Sequence, residues 1–581
     1  MKLIFKLLKP YKKTLSWTLI LKALGTSTDL VIPFIISYII DLVKDSPEKP
    51  SEIATKIILY GILMIFLAAF GFTLNVIANR KAEYIASYAT YTLRHDMFTK
   101  IMNLSSKQID KITTPSLISR MTTDTYTIFQ STASLQRMGI RAPILLLTGI
   151  IISLIISPLL STIMIALLPI ILIVSIVISK KTIPLYQTVQ TKTDKTITIL
   201  RENITGARII KALSTTDYEI SRFDKANIEN METSLKATYS IAKTKPIMDV
   251  LMNLGLVLAI MLGAYQLFNH LDGSITSSML LNYVTIFTII LNAMLSVTRI
   301  FTMISKAQAS SNRINEVLDL DKDIISGTVP YVVKDELPII EFKNVSFSYN
   351  EKVNNLENIN FKLYKGQSLG IIGPTGSGKT TLINLLMRFY DTDQGEINIF
   401  GINIKDINLK QYRKKVGLVL QNDSVFSKSI MHNITFDRKR VDELDYLESI
   451  EIAQADFIKD MILSNEDKTL TQRGTNVSGG QKQRILVSRA LAGHPDLLIL
   501  DDASSALDYK TDQKMREAIK QKLPNITKIV IAQRISSIKD CDLILLIEDG
   551  HIIVSGTHSQ LKQESKFYRT LILHQLGSEH L

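Results

Sequence analysis

Gly373-Pro374-Thr375-Gly376-Ser377-Gly378-Lys379-Thr380 decides how the second half of this chain folds. The octapeptide fits G-x-x-x-x-G-K-[ST]. In that pattern glycines let backbone N–H groups turn inward around phosphate oxygens, the Lys reaches the β- and γ-phosphates, and the Thr hydroxyl can ligate Mg²⁺. The surroundings are those the pattern requires. Ser368-Leu369-Gly370-Ile371-Ile372 reads as a buried strand, and Thr381-Leu382-Ile383-Asn384-Leu385-Leu386-Met387 as the helix after the loop. A Gly-rich turn without a ligand is the rival reading, and the strand–loop–helix order speaks against it.

Upstream of the loop the chain changes character. Its 581 residues exceed what one core holds. A hydrophobic fraction of 46 % and a mean hydropathy of +0.18 suit a membrane half joined to a soluble half. Crossing the hydrocarbon core takes about 20 mostly apolar helical residues. Candidate spans run Leu15–Ile40, Ile57–Ile77, Ile140–Ile156, Leu159–Ile178, Ile247–Phe268 and Met279–Ile304. Segments this long and apolar in series do not suit the core of a soluble protein.

The formal net charge of +13 invites a nucleic-acid reading, but the cations crowd between the apolar segments. Lys2, Lys6, Lys9, Lys12 and Lys13 precede the first span. Arg80, Lys81, Arg94, Lys100, Lys107, Lys111 and Arg120 follow the second, and Lys180, Lys181, Lys192, Lys195, Arg201, Arg208 and Lys211 follow the fourth. The connections Lys44–Glu52, Ser157-Pro158 and Asn269–Ser274 are short, with few or balanced charges. By the positive-inside rule both termini face the cytoplasm, and the partner surface is an anionic leaflet rather than nucleic acid. The expected location is the cell inner (plasma) membrane, as a multi-pass component. A cleaved signal peptide is disfavoured: the apolar run is too long, Asp29 interrupts it, and no small-residue cleavage site follows. Met1–Lys9 reads as an interfacial helix. The two basic stretches read as membrane helices that continue into the cytoplasm and turn back. Cys541 stands alone, which excludes an intrachain disulfide.

Polar residues in or near the spans are Asp29, Asn75, Arg137, Arg141, Asp249, Asn253 and Arg299. A charge facing lipid is costly, so each is a site hypothesis. Arg137, Arg141, Asp249 and Arg299 are expected at cytoplasmic ends, solvated or paired. Asp29, near mid-span, is expected to face a cavity and meet a cationic or polar substrate.

Downstream, Leu497-Leu498-Ile499-Leu500 ends in Asp501, as a buried parallel strand does when it delivers a carboxylate to Mg²⁺ beside phosphates. Val477-Ser478-Gly479-Gly480-Gln481-Lys482-Gln483-Arg484 stands shortly before it. With these motifs at this spacing, the chain resembles an ABC exporter half-transporter of the multidrug-resistance type over essentially its whole length. The resemblance implies an all-α polytopic transmembrane domain of six helices with long cytoplasmic extensions (1–320), a linker (321–338) and an α/β P-loop NTPase domain (339–581). It implies ATP and Mg²⁺ as cofactors, with Gly373 to Thr381 around the phosphates and Thr380, Gln421 and Asp501 at the metal. It also implies that Tyr349 stacks on adenine, that Gln421 is the Q-loop glutamine, that Ser505-Ala506-Leu507-Asp508 is the D-loop, and that Gln472-Arg473-Gly474 falls at the X-loop. Arg120-Met121-Thr122-Thr123-Asp124 and Glu202-Asn203-Ile204-Thr205-Gly206 fit the two intracellular loops. Two such domains close face to face in this family, so Ser478, Gly479, Gly480 and Gln481 would complete the γ-phosphate cage of a partner's site.

Two positions depart from the family pattern. Asp502 stands where the family has Glu as the base that polarises water, one methylene shorter, and Gln533 stands where it has His. Gln can hydrogen-bond a γ-phosphate but cannot carry an imidazolium's charge. Together they resemble the degenerate-site subunit of heterodimeric bacterial multidrug exporters, and Val477 is a mild change from the usual Leu. The expectation is a heterodimer with a second half-transporter, exporting a small amphipathic substrate. A homodimeric lipid or drug flippase using Asp502 as a slow base, and a nucleotide-sensing membrane subunit, are the alternatives. Six spans argue against a soluble ABC ATPase on nucleic acid, and the membrane-first order argues against import.

Overall fold

The computed structural model describes residues 2–45, 49–268, 276–350, 353–421, 423–463 and 469–576. The Asn269–Ser274 connection and part of Lys44–Glu52 lie outside the described residues. The chain divides into two units, one of Met1–Met102 with Thr114–Leu320, the other of Asn103–Thr113 with Asp321–Leu581.

The first unit is helical: α1 (Lys12–Asp45), α2 (Pro50–Met102), α3 (Thr125–Ile156), α4 (Pro158–Thr205), α5 (Thr216–Ala242), α6 (Thr244–Phe268) and α7 (Ser277–Leu318). Among the described residues six helical runs are long and apolar enough to cross a membrane. The middle four extend well past the apolar stretches read from sequence, because the basic segments between spans keep the helix going. Ser157 breaks α3 from α4: it is extended (φ −157°), its hydroxyl accepts from Leu160 N, and Pro158 starts the next helix. Tyr283 and Phe287 of α7 are fully buried, and the Tyr283 hydroxyl donates to Leu160 O at 2.7 Å.

Small residues let α1 and α2 approach closely. A Cβ on Gly71 would lie 2.0 Å from Thr28 Oγ1, and one on Gly25 would lie 2.9 Å from Asn75 Nδ2. Asn75 donates to Gly25 O at 3.0 Å and to Gly71 O at 2.9 Å, so this in-span amide staples the helix pair. The charges of this region are paired. Arg141 donates to Asp29 at 2.9 Å, Arg137 bonds Glu83, and buried Lys22 donates to Asn79 Oδ1 at 3.0 Å. Asp29, expected to await a cationic substrate, thus already has a cation, because α3 sets Arg141 against it. Arg299 and Asn253 are exposed, and Asp249 is half-buried.

The motif Arg120–Asp124 forms a π-helical turn. Asp124 is fully buried, accepts from Ser310 Oγ at 2.8 Å and pairs with Arg313, while Arg120 pairs with Glu316 at 2.8 Å. The turn therefore anchors the start of α3 to the end of α7. Along α4 and α5, Lys192 and Lys195 pair with Glu229, and Glu202 with Arg222.

The second unit holds two sheets. Strands β1 (Ile340–Phe347), β2 (Leu356–Leu363), β3 (Ser368–Ile372), β4 (Gln394–Ile399), β5 (Ile402–Asn403), β6 (Val416–Val419), β7 (Leu497–Asp501), β8 (Thr527–Ile531), β9 (Leu543–Glu548) and β10 (His551–Gly556) divide between them. An antiparallel sheet runs β2-β1-β4-β5, and a second sheet runs β10-β9-β3-β8-β7-β6, parallel except for β9–β10. Buried apolar residues of both sheets meet in one core, with Phe342 and Phe361 stacked 4.7 Å apart. Residues 321–338 are seated on this unit: Val329 N donates to Asp406 O at 2.9 Å, Asn408 N donates to Val329 O at 2.8 Å, and Ile324 and Tyr331 pack on the core.

Gly71→Val tests the α1–α2 packing. Its side chain would overlap Thr28, so the unfolding midpoint of the protein in lipid should fall, by an amount matching about 1–3 kcal/mol of overpacking. An unchanged midpoint would show that the two helices can part without cost.

Candidate nucleotide site

The site grows from β3. Its five residues are all buried, and the chain leaves the strand into the loop Gly373–Gly378. Gly378 has φ +101°, which an L side chain rarely adopts, and a Cβ there would lie 2.6 Å from Asn355 O. A Cβ on Gly373 would lie 1.9 Å from Ile547 O. The loop opens into α8 (Lys379–Leu386), capped by Gly378, so the first N–H groups of a helix point toward whatever the loop surrounds. Lys379 Nζ donates to Gly373 O at 2.9 Å and Pro374 O at 2.6 Å. Burial holds its pKa below the usual ammonium value, while Asp501 and Asp502 oppose that shift.

Strand β7 ends beside this loop, separated from β3 by β8. Asp501 is 2 % exposed, and Thr380 Oγ1 donates to its carboxylate at 2.9 Å. Burial raises its pKa, the Thr380 hydroxyl and Lys379 lower it, and Asp502 adds to the rise. A hydroxyl and a buried carboxylate side by side suit Mg²⁺, which keeps few protein ligands and takes the rest from phosphate and water. Gln421 is exposed, and it acts with Arg534 and Lys379 to lower the Asp502 pKa against the rise that burial imposes.

Asp502 follows in a left-handed conformation (φ 53°), with its N–H bonded to Ile531 O at 2.9 Å. Gln533 Nε2 donates to Asp502 Oδ2 at 3.2 Å. The two residues that depart from the family pattern therefore touch. Gln575, on the helix Lys566–Leu576, receives Ile535 N and donates to Gln533 O, both at 2.8 Å, and so holds the loop that carries Gln533. No motif marks Gln575 in the sequence.

The aromatic Tyr349 is 41 % exposed, and its hydroxyl accepts from Asn384 of α8 at 2.9 Å. Ser478 caps α9 (Gly479–Leu491) in a reciprocal box: Gln481 N donates to Ser478 Oγ at 3.2 Å, and Ser478 N to Gln481 Oε1 at 2.9 Å. Asp508 caps α10 (Tyr509–Lys522), accepting from Thr511 N at 2.9 Å, and that bond lowers its pKa. Gly480 has little room, since a Cβ would lie 3.1 Å from Ala506 O of the Ser505–Asp508 loop. Ser478 and Asp508 thus bond within the starts of their own helices, while Ser505 of the 505–508 loop donates to Asp502 O through its N–H at 3.2 Å and its hydroxyl at 2.9 Å. Gln472–Gly474 is a single 3₁₀ turn.

Comparison with known proteins decides the family. The ABC transporter transmembrane region model matches residues 15–294, and the ABC transporter model matches residues 356–505. The chain is an ABC transporter. Over 98 % of its length and 98 % of the relative's, it is 32 % identical to an uncharacterized ABC transporter ATP-binding protein of Bacillus subtilis. A Staphylococcus aureus ATP-binding/permease protein named for multidrug export is 30 % identical over 97 % of both chains. An ATP-dependent lipid A-core flippase of Syntrophus aciditrophicus is 32 % identical over 67 % of this chain and 65 % of its own. The solved structure of a bacterial Atm1-family ABC exporter with ATP bound superposes with a TM-score of 0.84, covering 97 % of this chain and 98 % of that one, at 22 % identity. The fold is thus that of an ABC exporter: a multi-pass membrane region and an ATP-binding ATPase domain in one polypeptide.

The buried Asp501 carboxylate yields a signed expectation. A carboxyl whose folded pKa is raised favours the folded state most when protonated, and that contribution fades as pH rises through the folded value. Asp501→Asn should therefore unfold at a higher temperature than the parent protein near pH 7 without nucleotide. The difference should shrink as pH falls below the ordinary carboxylate range, and nucleotide-induced stabilisation should be lost. Melting curves at pH 7 and pH 4.5, with and without Mg-ATP, check this; an asparagine variant less stable at pH 7 would contradict it.

Proposed function

We propose that this chain is the ATP-binding/permease subunit of an exporter that moves amphipathic or drug-like compounds out of the cytoplasm or inner leaflet. It works as a heterodimer in which its own Walker site turns over slowly. The observation that carries the reading is the Gln533–Asp502 hydrogen bond of 3.2 Å. Both departures from the family's hydrolytic pair occupy one site and satisfy each other, while Lys379, Thr380 and Asp501 remain as a phosphate and metal site requires. Asp502, one methylene shorter than Glu, stands back from the attacking water by about 1 Å, a misplacement that costs on the order of 100-fold in rate. Gln533 engages the same carboxylate and has no positive charge to offer a γ-phosphate.

Tyr349 takes the adenine on its open face, and the N–H groups of 373–381 with Lys379 take the phosphates. Thr380, Asp501 and Gln421 would hold Mg²⁺, which would supply positive charge to offset that of the phosphates. Ser478–Gln481, with the α9 N-terminus behind them, close over the partner's nucleotide, and Asp508 lies at the seam. Closure driven by ATP at both interfaces turns the membrane helices outward, and hydrolysis at the partner's P-loop returns them. The chain lies in the cell's inner (plasma) membrane with both termini facing the cytoplasm, an orientation that the cation-rich connections support. The relatives named for multidrug export and for lipid A-core flipping support an amphipathic substrate.

A second reading, a homodimer with Asp502 as a slow base, draws on the raised pKa that burial gives this carboxylate. Purified alone in lipid, the chain should bind ATP yet hydrolyse it slowly, and Asp502→Glu should speed turnover by about 10- to 100-fold. Brisk hydrolysis by the unaltered chain, abolished by Asp502→Asn, would favour the homodimer instead.

A further inference from the structure

Three groups from distant parts of the second unit touch in series. The Tyr349 ring, tied to α8 through Asn384, meets the Tyr390 ring edge-on, with centroids 5.1 Å apart and planes at 88°. Both rings also pack on Phe347, at 4.9 and 5.6 Å. The Tyr390 hydroxyl donates to the carboxylate of Asp110. Burial, then the bond to Asp110 and its charge, push the Tyr390 phenol well above its ordinary pKa, so it remains a donor at physiological pH.

Asp110 lies on the short helix Ser106–Ile112, which joins the end of α2 to the helical run that begins at Thr114. Although both its flanks belong to the membrane unit, Asn103–Thr113 belongs to the nucleotide-binding unit. It is tied there a second time. Ser105 Oγ donates to Asp323 Oδ2 at 2.9 Å, and Gln108 Nε2 donates to Asp323 Oδ1 at 2.9 Å and Asp321 O at 2.6 Å. Asp321 and Asp323 lie just beyond the last residue of α7, Leu318.

We infer that Tyr390 is a positioning residue that couples occupancy of Tyr349 by a purine base to the docking of the Asn103–Thr113 segment. The inference rests on Tyr349 as the base platform. A base stacked on its open face restrains the Tyr349 ring, the edge-to-face contact restrains Tyr390, and an aligned Tyr390 hydroxyl holds Asp110. Such ring pairs favour particular geometries, so a shift of one ring is felt by the other. Binding linkage is reciprocal: if the base tightens the segment's docking, the docked segment tightens the base. None of the three groups belongs to the 373–381 segment that would take the phosphates, so a ligand without a base would not engage the relay.

The test uses the full-length protein in lipid vesicles and two probes, Mg-ATP and inorganic tripolyphosphate with Mg²⁺. Affinity for each is measured in the parent protein, Tyr390→Phe, Asp110→Ala, Asp110→Asn and Tyr349→Ala. In parallel, a thiol introduced by Lys111→Cys, with Cys541→Ser in the background, is titrated with maleimide with and without ATP. Tyr390→Phe and Asp110→Ala should weaken ATP about 5-fold or more, keep tripolyphosphate within about 2-fold, and abolish the effect of ATP on labelling. Asp110→Asn, which keeps an acceptor, should restore both. If Tyr349→Ala removes the preference for ATP over tripolyphosphate but Tyr390→Phe and Asp110→Ala behave as the parent, the relay is overturned and the base platform stands. If Tyr349→Ala leaves that preference intact, the platform itself is wrong and the inference falls with it.

Discussion

The parallel order β3-β8-β7 is the constraint on which the nucleotide site depends. Parallel strands deliver their C-terminal ends to one edge of the sheet, where an open α/β sheet offers a crevice for ligands. The loop 373–378 leaves β3 at that edge and Asp501 ends β7 there, which allows Thr380 to donate to Asp501. The same pairing reaches one step further. Asp501 is in register with Ile531, so Asp502 and Gln533 leave adjacent strands side by side. Their hydrogen bond follows from that register.

Charge is handled differently in the two units. Taking an ion from water is expensive unless a partner compensates. In the membrane unit Arg141 meets Asp29, Arg137 meets Glu83, and Asp124 is bonded by Ser310 and Arg313. In the nucleotide unit Asp501 has one neutral hydroxyl and Lys379 near it, and its pKa remains raised. That carboxylate is held in a state which a divalent cation would relieve, whereas the membrane pairs are closed accounts of charge. The difference separates a ligand site from structural pairing.

Much of this was legible from local pattern. The loop Gly373–Thr380, the strand before it and the apolar run ending at Asp501 are contiguous signals, and the six apolar stretches are long enough to speak for themselves. Other features were invisible to that reading. Lys22, a single cation in an apolar run, carried no signal until Asn79 was seen bonded to it. Asp29 read as a free anion because its partner lies 112 residues away. Asn384, Tyr390 and Gln575 belong to no motif, and their importance lies in what they touch.

By itself the amino-acid sequence determined the elements and their chemistry: which segments suit lipid, where phosphates would be cradled, and which two residues depart from the hydrolytic pattern. Near neighbours settle such matters, through hydrophobic period, backbone freedom at glycine and side-chain functional groups. Only the tertiary structure decided which of these groups meet. Gln533 and Asp502 are 31 residues apart and Tyr390 and Asp110 are 280 apart, and their contacts arise from strand register and packing, which no spacing along the chain records.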